Sequence, residues 1–158
     1  MLHGRPAGPP LQTVSQVDLT RYAGLWYEIA RYPVFFERGL SAVTAFYSLN
    51  PDGTVGVVNS GHKCSVAGPL KRIVGKARVA DRQTNAKLKV RFFRLFEGDY
   101  WIIDLDKDYQ YAVVGEPRRK TLWVLGRAPV MDESLYRRIT SQLAARGYDA
   151  SRLVRTPQ

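Results

Sequence analysis

Short stretches in which apolar and polar residues alternate recur along most of the chain, and this period of two is typical of strands with one buried face. Turn-forming runs such as Asn50-Pro51-Asp52-Gly53 separate these stretches. The pattern predicts eight strands, at residues 24–30, 43–49, 55–59, 70–80, 86–93, 100–105, 109–114 and 121–128.

One segment near the C-terminus has a helical period instead. Leu135, Ile139 and Leu143 recur every four residues, Asp132 is suited to cap the start of a helix, and Gly147 is placed to end it. A single amphipathic helix has to lay its apolar side on a sheet. The sequence therefore predicts an all-β fold: an eight-stranded antiparallel up-and-down β-barrel with one C-terminal α-helix packed outside.

The alternation also assigns side chains to the two faces of the sheet. The set expected to face the interior is apolar or small: Gly75, Ala77, Val79, Leu88, Val90 and Phe92. The set expected to face outward is basic: Lys76, Arg78, Lys89 and Arg91. A barrel of this size can hold one small ligand.

The length of 158 residues is that of a single domain, and a hydrophobic content of 45% predicts a folded chain. Residues 1–16 are rich in proline and glycine and are expected to form a flexible arm before a domain at 17–158. The arm lacks the apolar core of a secretory signal. This predicts either a cytoplasmic protein or one whose export signal is not part of this chain.

The net charge of +10 is concentrated in one region. Residues 63–94 contain ten basic residues and one acid, a net of +9. A solvated face explains such a run simply, whereas the outward residues Lys76, Arg78, Lys89 and Arg91 also suit contact with an anionic membrane surface. Nucleic-acid binding is disfavoured because no aromatic residues that could stack on nucleobases alternate with these basic residues.

Catalytic and metal chemistry have little support in the sequence. Cys64 is the only cysteine, and His3 and His62 are the only histidines, so neither a metal site nor a haem site is predicted. The familiar nucleophile, phosphate-binding and zinc motifs are absent. We therefore predict a protein that is not an enzyme and that has no cofactor.

The first predicted strand carries a recognisable motif. Residues 24–33, Gly-Leu-Trp-Tyr-Glu-Ile-Ala-Arg-Tyr-Pro, resemble the GxW motif of the lipocalins, in the form seen in bacterial outer-membrane lipocalins and apolipoprotein D. Further segments resemble that branch in the expected order: 36–40, 45–49, 75–77, 88–93, Asp108-Tyr109, 112–114 and 122–129. The resemblance covers roughly residues 17–156.

The resemblance implies a structural role for five residues. Arg127 is expected to stack on Trp26 and to bond carbonyl groups of the N-terminal turn, which closes the narrow end of the barrel. Gly24, Asp108 and Tyr109 are expected to serve the same closure. The resemblance further implies a location in the periplasm or at the outer membrane.

A small hydrophobic ligand in the barrel is the function that the resemblance implies, with a fatty acid, a lysophospholipid or a similar single-chain lipid as candidates. The predicted cavity walls are Glu28, Tyr47, Asn59, Phe92, Tyr100, Tyr111 and Trp123. Glu28 shares strand parity with Trp26, so it is expected inside, either orienting a ligand or bonded to a nearby Tyr or Arg. A barrel enzyme and a haem or carotenoid carrier remain alternatives, and a monomer or weak homodimer is expected.

Overall fold

The computed structural model describes residues 9–34, 37–92 and 96–158. Within these ranges, eight long strands follow one another along the chain, in agreement with the alternation. Their bounds are β1 Gly24–Arg31, β2 Leu40–Leu49, β3 Val55–Lys63, β4 Leu70–Val79, β5 Lys87–Phe92, β6 Phe96–Leu105, β7 Tyr111–Gly115 and β8 Leu122–Gly126.

Each strand pairs in antiparallel fashion with the next, and the sheet closes on itself. The order runs from β2 through β8 to β1, and β1 also pairs with β2 along Gly24–Tyr27. Closure leaves no unpaired edge among these strands. The predicted antiparallel up-and-down barrel is confirmed.

Short helical segments and a ninth strand accompany the barrel. Helix α1 spans Leu19–Tyr22 and is capped by Asp18. Helix α2 spans Glu133–Ser141 and ends earlier than the sequence predicts. Gly147, with a φ of 81°, ends the following 3-10 turn at Ala144–Arg146 instead, because the last turns tighten before the left-handed residue. A second 3-10 turn at Ala150–Arg152 precedes β9, Val154–Arg155, which pairs with β1.

Two apolar cores lie on opposite sides of the barrel wall. The inner core includes Trp26, Val57, Ala77, Leu88 and Val90, so the predicted inward set of β4 and β5 is confirmed. The outer core lies between helix α2 and the strands, and includes Ile139, Leu143, Leu122 and Val124. No helix within the described ranges is long and apolar enough to cross a membrane.

The described part of the N-terminal arm lies against the barrel. Leu11 is buried in the outer core, and the Val14 amide donates to the Ile102 carbonyl over 3.0 Å. The buried Arg119 guanidinium donates to the Pro9 carbonyl. Residues 9–16 are thus held by burial and hydrogen bonds rather than free in solution, whereas residues 1–8 lie outside the described residues, as does Phe93 of the predicted fifth strand.

Candidate functional site

Up-and-down connectivity places alternate loops at opposite ends of the barrel. The end that contains Trp26 is closed. Arg127 lies over the Trp26 ring, with its Cζ 3.8 Å from the ring centroid, and donates to the carbonyls of Leu25 (2.9 Å), Arg21 (2.7 Å) and Tyr22 (3.3 Å). This contact is the one that the motif resemblance implies for the pair.

The first residue of β1 has a backbone conformation that favours glycine and lies in contact with that guanidinium. Gly24 has a φ of 101°, and a Cβ atom built on it would lie 3.5 Å from Arg127 Nη1. The β6–β7 turn completes the closed end, because Arg127 Nε donates to the Tyr109 carbonyl and the Asp18 amide donates to the Tyr109 hydroxyl. The Asp108 side chain is exposed, and Asp106 rather than Asp108 provides the carboxylate that bonds the turn, to the Gln110 amide.

A layer of three tyrosines lies above the closed end. The Tyr22 hydroxyl is 2.6 Å from that of Tyr100, which donates to the Tyr47 hydroxyl over 2.9 Å. Burial is the main cause that raises the pKa of all three phenols above the ordinary value, so they stay neutral donors and acceptors. Tyr47 and Tyr100 line both a cavity above and a much smaller one of about 20 Å³ below.

The upper cavity is the candidate ligand site and has a volume of about 110 Å³. Val57, Val90, Val114 and Leu125 supply much of its apolar wall. Six of the seven predicted wall residues line this one cavity: Glu28, Tyr47, Asn59, Phe92, Tyr100 and Trp123. Typical ligand pockets measure roughly 300 to 1,000 Å³. A lipid chain would therefore have to extend beyond the cavity or displace side chains.

Tyr111 is the exception, and its prediction as a wall residue is wrong. It lies outside the barrel against the outer core. In β7 the residues that face inward are Ala112 and Val114, so Tyr111 and Val113 face outward. The strand contributes only small and β-branched residues to the cavity side, and its aromatic residue covers the outer core.

A buried ionic cluster forms one side of the cavity. Glu28 is 3% exposed, and its Oε2 accepts from Arg31 Nη1 over 2.8 Å and from the Thr156 hydroxyl over 2.6 Å. Arg31 Nη1 also donates to Thr156 Oγ1, and Nη2 donates to the Glu37 carbonyl. Glu28 therefore has the internal partners that a buried carboxylate needs.

Glu37 adds a second carboxyl group to this cluster. It lies in the loop between β1 and β2 and is buried against the cavity. Arg31 Nε is 3.1 Å from Glu37 Oε2 but does not make a hydrogen bond with it, and this oxygen has no hydrogen-bond partner among the described residues. Burial, followed by repulsion from the Glu28 carboxylate, raises the pKa of Glu37 to about 9, so Glu37 is protonated near neutral pH.

Sequence reasoning missed three members of this cluster for identifiable reasons. Arg31 is three residues after Glu28, so strict alternation would put it outside. A β-bulge between Glu28 and Ala30 shifts the register by one residue and turns Arg31 inward. Glu37 lies in a loop without periodicity, and Thr156 is distant in sequence, so neither gave a local signal.

The outward basic residues carry their own counter-charges. Lys76 lies 3.8 Å from Asp52, Arg78 lies 3.4 Å from Glu97, and Lys89 lies 2.5 Å from Asp99. Repulsion between these strands is therefore relieved within the chain, at three of the four predicted contact residues. The predicted outward direction of the set holds, and Arg94 of the same run lies outside the described residues.

Metal-binding clusters are not found among the residues that the structure describes.

A family model for the lipocalin-like domain matches residues 17–158. The chain belongs to the lipocalin family. Lipocalins bind small hydrophobic ligands, and they are generally binding or transport proteins rather than enzymes.

Curated relatives confirm the branch that the sequence motifs indicate. This lipocalin is 40% identical over 148 residues to the outer membrane lipoprotein Blc of Escherichia coli, an alignment that covers 92% of this chain and 83% of Blc. It is 31% identical over 163 residues to apolipoprotein D of Mus musculus, covering 98% and 83%. Insecticyanin from the tobacco hornworm Manduca sexta shares the fold, with a TM-score of 0.74, 22% identity, and coverage of 98% of this chain and 88% of insecticyanin.

Proposed function

We propose that this lipocalin binds and carries a single-chain lipid, such as a fatty acid or a lysophospholipid, with the chain in the upper cavity and no chemistry performed. The observation that carries the proposal is the cavity itself, whose apolar wall is interrupted by a few polar groups on one side. The lipid is released intact, which suits a carrier or a store. The similarity to Blc supports a place in the periplasm or at the outer membrane.

A chain-length series tests this function. Each methylene that enters the cavity contributes about 0.8 kcal/mol, so affinity should rise about fourfold per added carbon until the cavity is full. Displacement of an apolar fluorescent dye by alkanols of increasing length measures this directly. A flat dependence on chain length would contradict an apolar cavity as the binding site.

Phe92→Asp tests the location of that site. Phe92 lines the cavity, and a carboxylate on its apolar wall is expected to abolish dye displacement. Phe46→Asp is the matched control, because the Phe46 side chain on β2 is 46% exposed and does not line the cavity. Normal binding by a folded Phe92→Asp protein would show that the ligand sits elsewhere.

A second proposal concerns the membrane surface. Alternate residues on the outer side of β4 include the exposed Leu70 and Val74, 54% and 61% accessible, and the exposed bases Arg72 and Lys76. A face that alternates apolar and basic residues suits an anionic lipid surface, where each base contributes about 1 kcal/mol. This contact would place the barrel where single-chain lipids are picked up or delivered.

Vesicle co-sedimentation tests the membrane contact. Binding is expected to anionic vesicles at low salt and to fade as salt shortens the Debye length from about 10 Å. Arg72→Glu combined with Lys76→Glu should remove binding, whereas Arg118→Glu combined with Lys120→Glu, on the β7–β8 loop, should not. Equal binding to neutral and anionic vesicles would contradict the proposal and leave the basic run as a solvated face.

A further inference from the structure

The charge of the cavity wall is opposite to that of the chain. The protein has a net charge of +10, yet the charged side chains of the described residues that face the upper cavity are the acids Glu28 and Glu37, since Asp99, a third acid in the lining, pairs with the outward Lys89. Lysine and arginine are absent from the described residues that line this wall. Arg31 lies behind it and is bonded to Glu28, Thr156 and the Glu37 carbonyl.

The proton on Glu37 keeps the buried cluster neutral. The groups that face this carboxyl are Glu28 and Arg31 on β1, Tyr47 on β2 and Trp123 on β8. One guanidinium and two carboxyl groups form a neutral cluster when Glu37 carries a proton, and ionising Glu37 alone would leave one uncompensated negative charge. A cation beside Glu37 would supply the missing compensation.

The same wall also presents aromatic rings. Tyr47, Tyr100, Phe92 and Trp123 all line the cavity, and the faces of such rings attract ammonium groups. A carboxylate or phosphate in this place would meet acids and ring faces, with no free base among the described wall residues. Both the acids and the aromatic rings of the wall therefore favour a positively charged head group over a negatively charged one.

We propose that the cavity selects amphiphiles with an ammonium head group, and that Glu37 gives up its proton when the ammonium binds beside it. This proposal rests on the proposed function and names its ligand class. The exchange is balanced: one positive charge enters the site and one proton leaves to solvent. Glu37 Oε2, the oxygen without a hydrogen-bond partner among the described residues, becomes half of the carboxylate that pairs with the cation. Of the two single-chain lipids named for the proposed function, a lysophospholipid with an ammonium head group is thus favoured, because a fatty-acid anion has no such partner.

Matched octyl ligands test the selection. At neutral pH we expect octylamine and octyltrimethylammonium to displace the dye at concentrations about tenfold lower than octanoate, with octanol between them. The basic surface would favour the opposite order, so nonspecific surface binding cannot produce this result. Tighter or equal binding of octanoate would overturn the proposal.

Glu37→Gln removes the ionisable group while keeping the shape of the protonated side chain. We expect this variant to lose the preference for the two cations and to retain octanol binding. Glu97→Gln is the control, because it removes one carboxylate from the outer face of β6 where Glu97 pairs with Arg78. An unchanged preference in Glu37→Gln would overturn the assignment to Glu37.

Proton release gives a readout that does not depend on any variant. Titration calorimetry of octyltrimethylammonium in two buffers of different ionisation enthalpy should show release of close to one proton per ligand, and none for octanol. Zero release with the cation would overturn the exchange. The quaternary ligand carries no proton of its own, so any release comes from the protein.

Two further outcomes separate this inference from the proposed function. If octanol displaces the dye and the cations bind no better, the ligand class is wrong and the apolar cavity stands. If no single-chain amphiphile displaces the dye, the proposed function itself fails. A short-chain lysophosphatidylcholine, compared with octyltrimethylammonium, distinguishes a zwitterionic lipid from a simple cationic amphiphile as the source of the ammonium group.

Discussion

Single residues close the narrow end of the barrel. Arg127 stacks on Trp26 and donates hydrogen bonds to three carbonyls of the α1–β1 segment. It donates a further hydrogen bond to the Tyr109 carbonyl in the β6–β7 turn. The Trp26 indole N–H in turn donates to the Tyr22 carbonyl over 2.8 Å. The pair therefore ties three segments together below the tyrosine layer, away from the upper cavity.

Trp26→Ala and Arg127→Ala should lower stability rather than change ligand contacts. Loss of the fully buried indole is expected to reduce the free energy of unfolding by about 3 to 5 kcal/mol. Loss of the charged hydrogen bonds of Arg127 should cost about 2 kcal/mol or more. Denaturant unfolding measures both, with the exposed Arg118→Ala as control. Unchanged stability together with lost ligand binding would contradict the structural role.

At the scale of elements, the C-terminal segment fills a gap between two strands. β1 and β2 pair only up to Tyr27 and Thr44, and bulges at Ile29 and near Ala42 mark where they separate. Above that point the Ala42 amide donates to the Pro157 carbonyl, and Gln158 Nε2 bridges the carbonyls of Glu28 and Val43. The segment thereby completes the barrel wall beside the ionic cluster.

Thr156→Val tests this arrangement with almost no change in shape. The substitution removes the hydroxyl that donates to Glu28, so it should lower the free energy of unfolding by about 1 to 3 kcal/mol. Thr20→Val in the exposed face of α1 is the matched control. Equal stability of the two variants would mean that the hydroxyl does not support the buried carboxylate.

At the scale of the whole molecule, the buried cluster makes stability depend on pH. The pKa of Glu37 is raised from its ordinary value of 4.5 to about 9, chiefly by burial. Between these values the folded protein binds the proton more tightly than the unfolded chain, so stability falls as pH rises. The favourable contribution is complete below about pH 4.5, declines above it, and is lost once pH passes about 9.

Glu37→Gln should flatten that dependence, because glutamine cannot ionise. Unfolding free energies of the native protein and the variant, measured from pH 5 to about pH 9, should converge at the acid end and diverge as pH rises, with the native protein losing more. Glu97→Gln should retain the native slope. Parallel curves for the native protein and Glu37→Gln would show that Glu37 is already ionised in the folded state.

The sequence by itself determined the barrel and much of the cavity. The resemblance of the GxW segment to the lipocalins implied the closed end with Arg127, and strict alternation placed Val90 and Phe92 inside because a period of two is a local signal. Six of the seven predicted wall residues line the cavity for the same reason.

Only the tertiary structure decided which polar groups meet inside. Strict alternation would point Arg31 outward, but the bulge in β1 turns it inward. The loop between β1 and β2 places Glu37 at the cavity. The packing of the C-terminal segment against β1 brings the Thr156 hydroxyl to Glu28, 128 residues away in sequence. The charge of the site, and with it the proposed preference for cationic head groups, comes from these long-range contacts, whose partners are set by packing and burial and leave no periodic trace in the sequence.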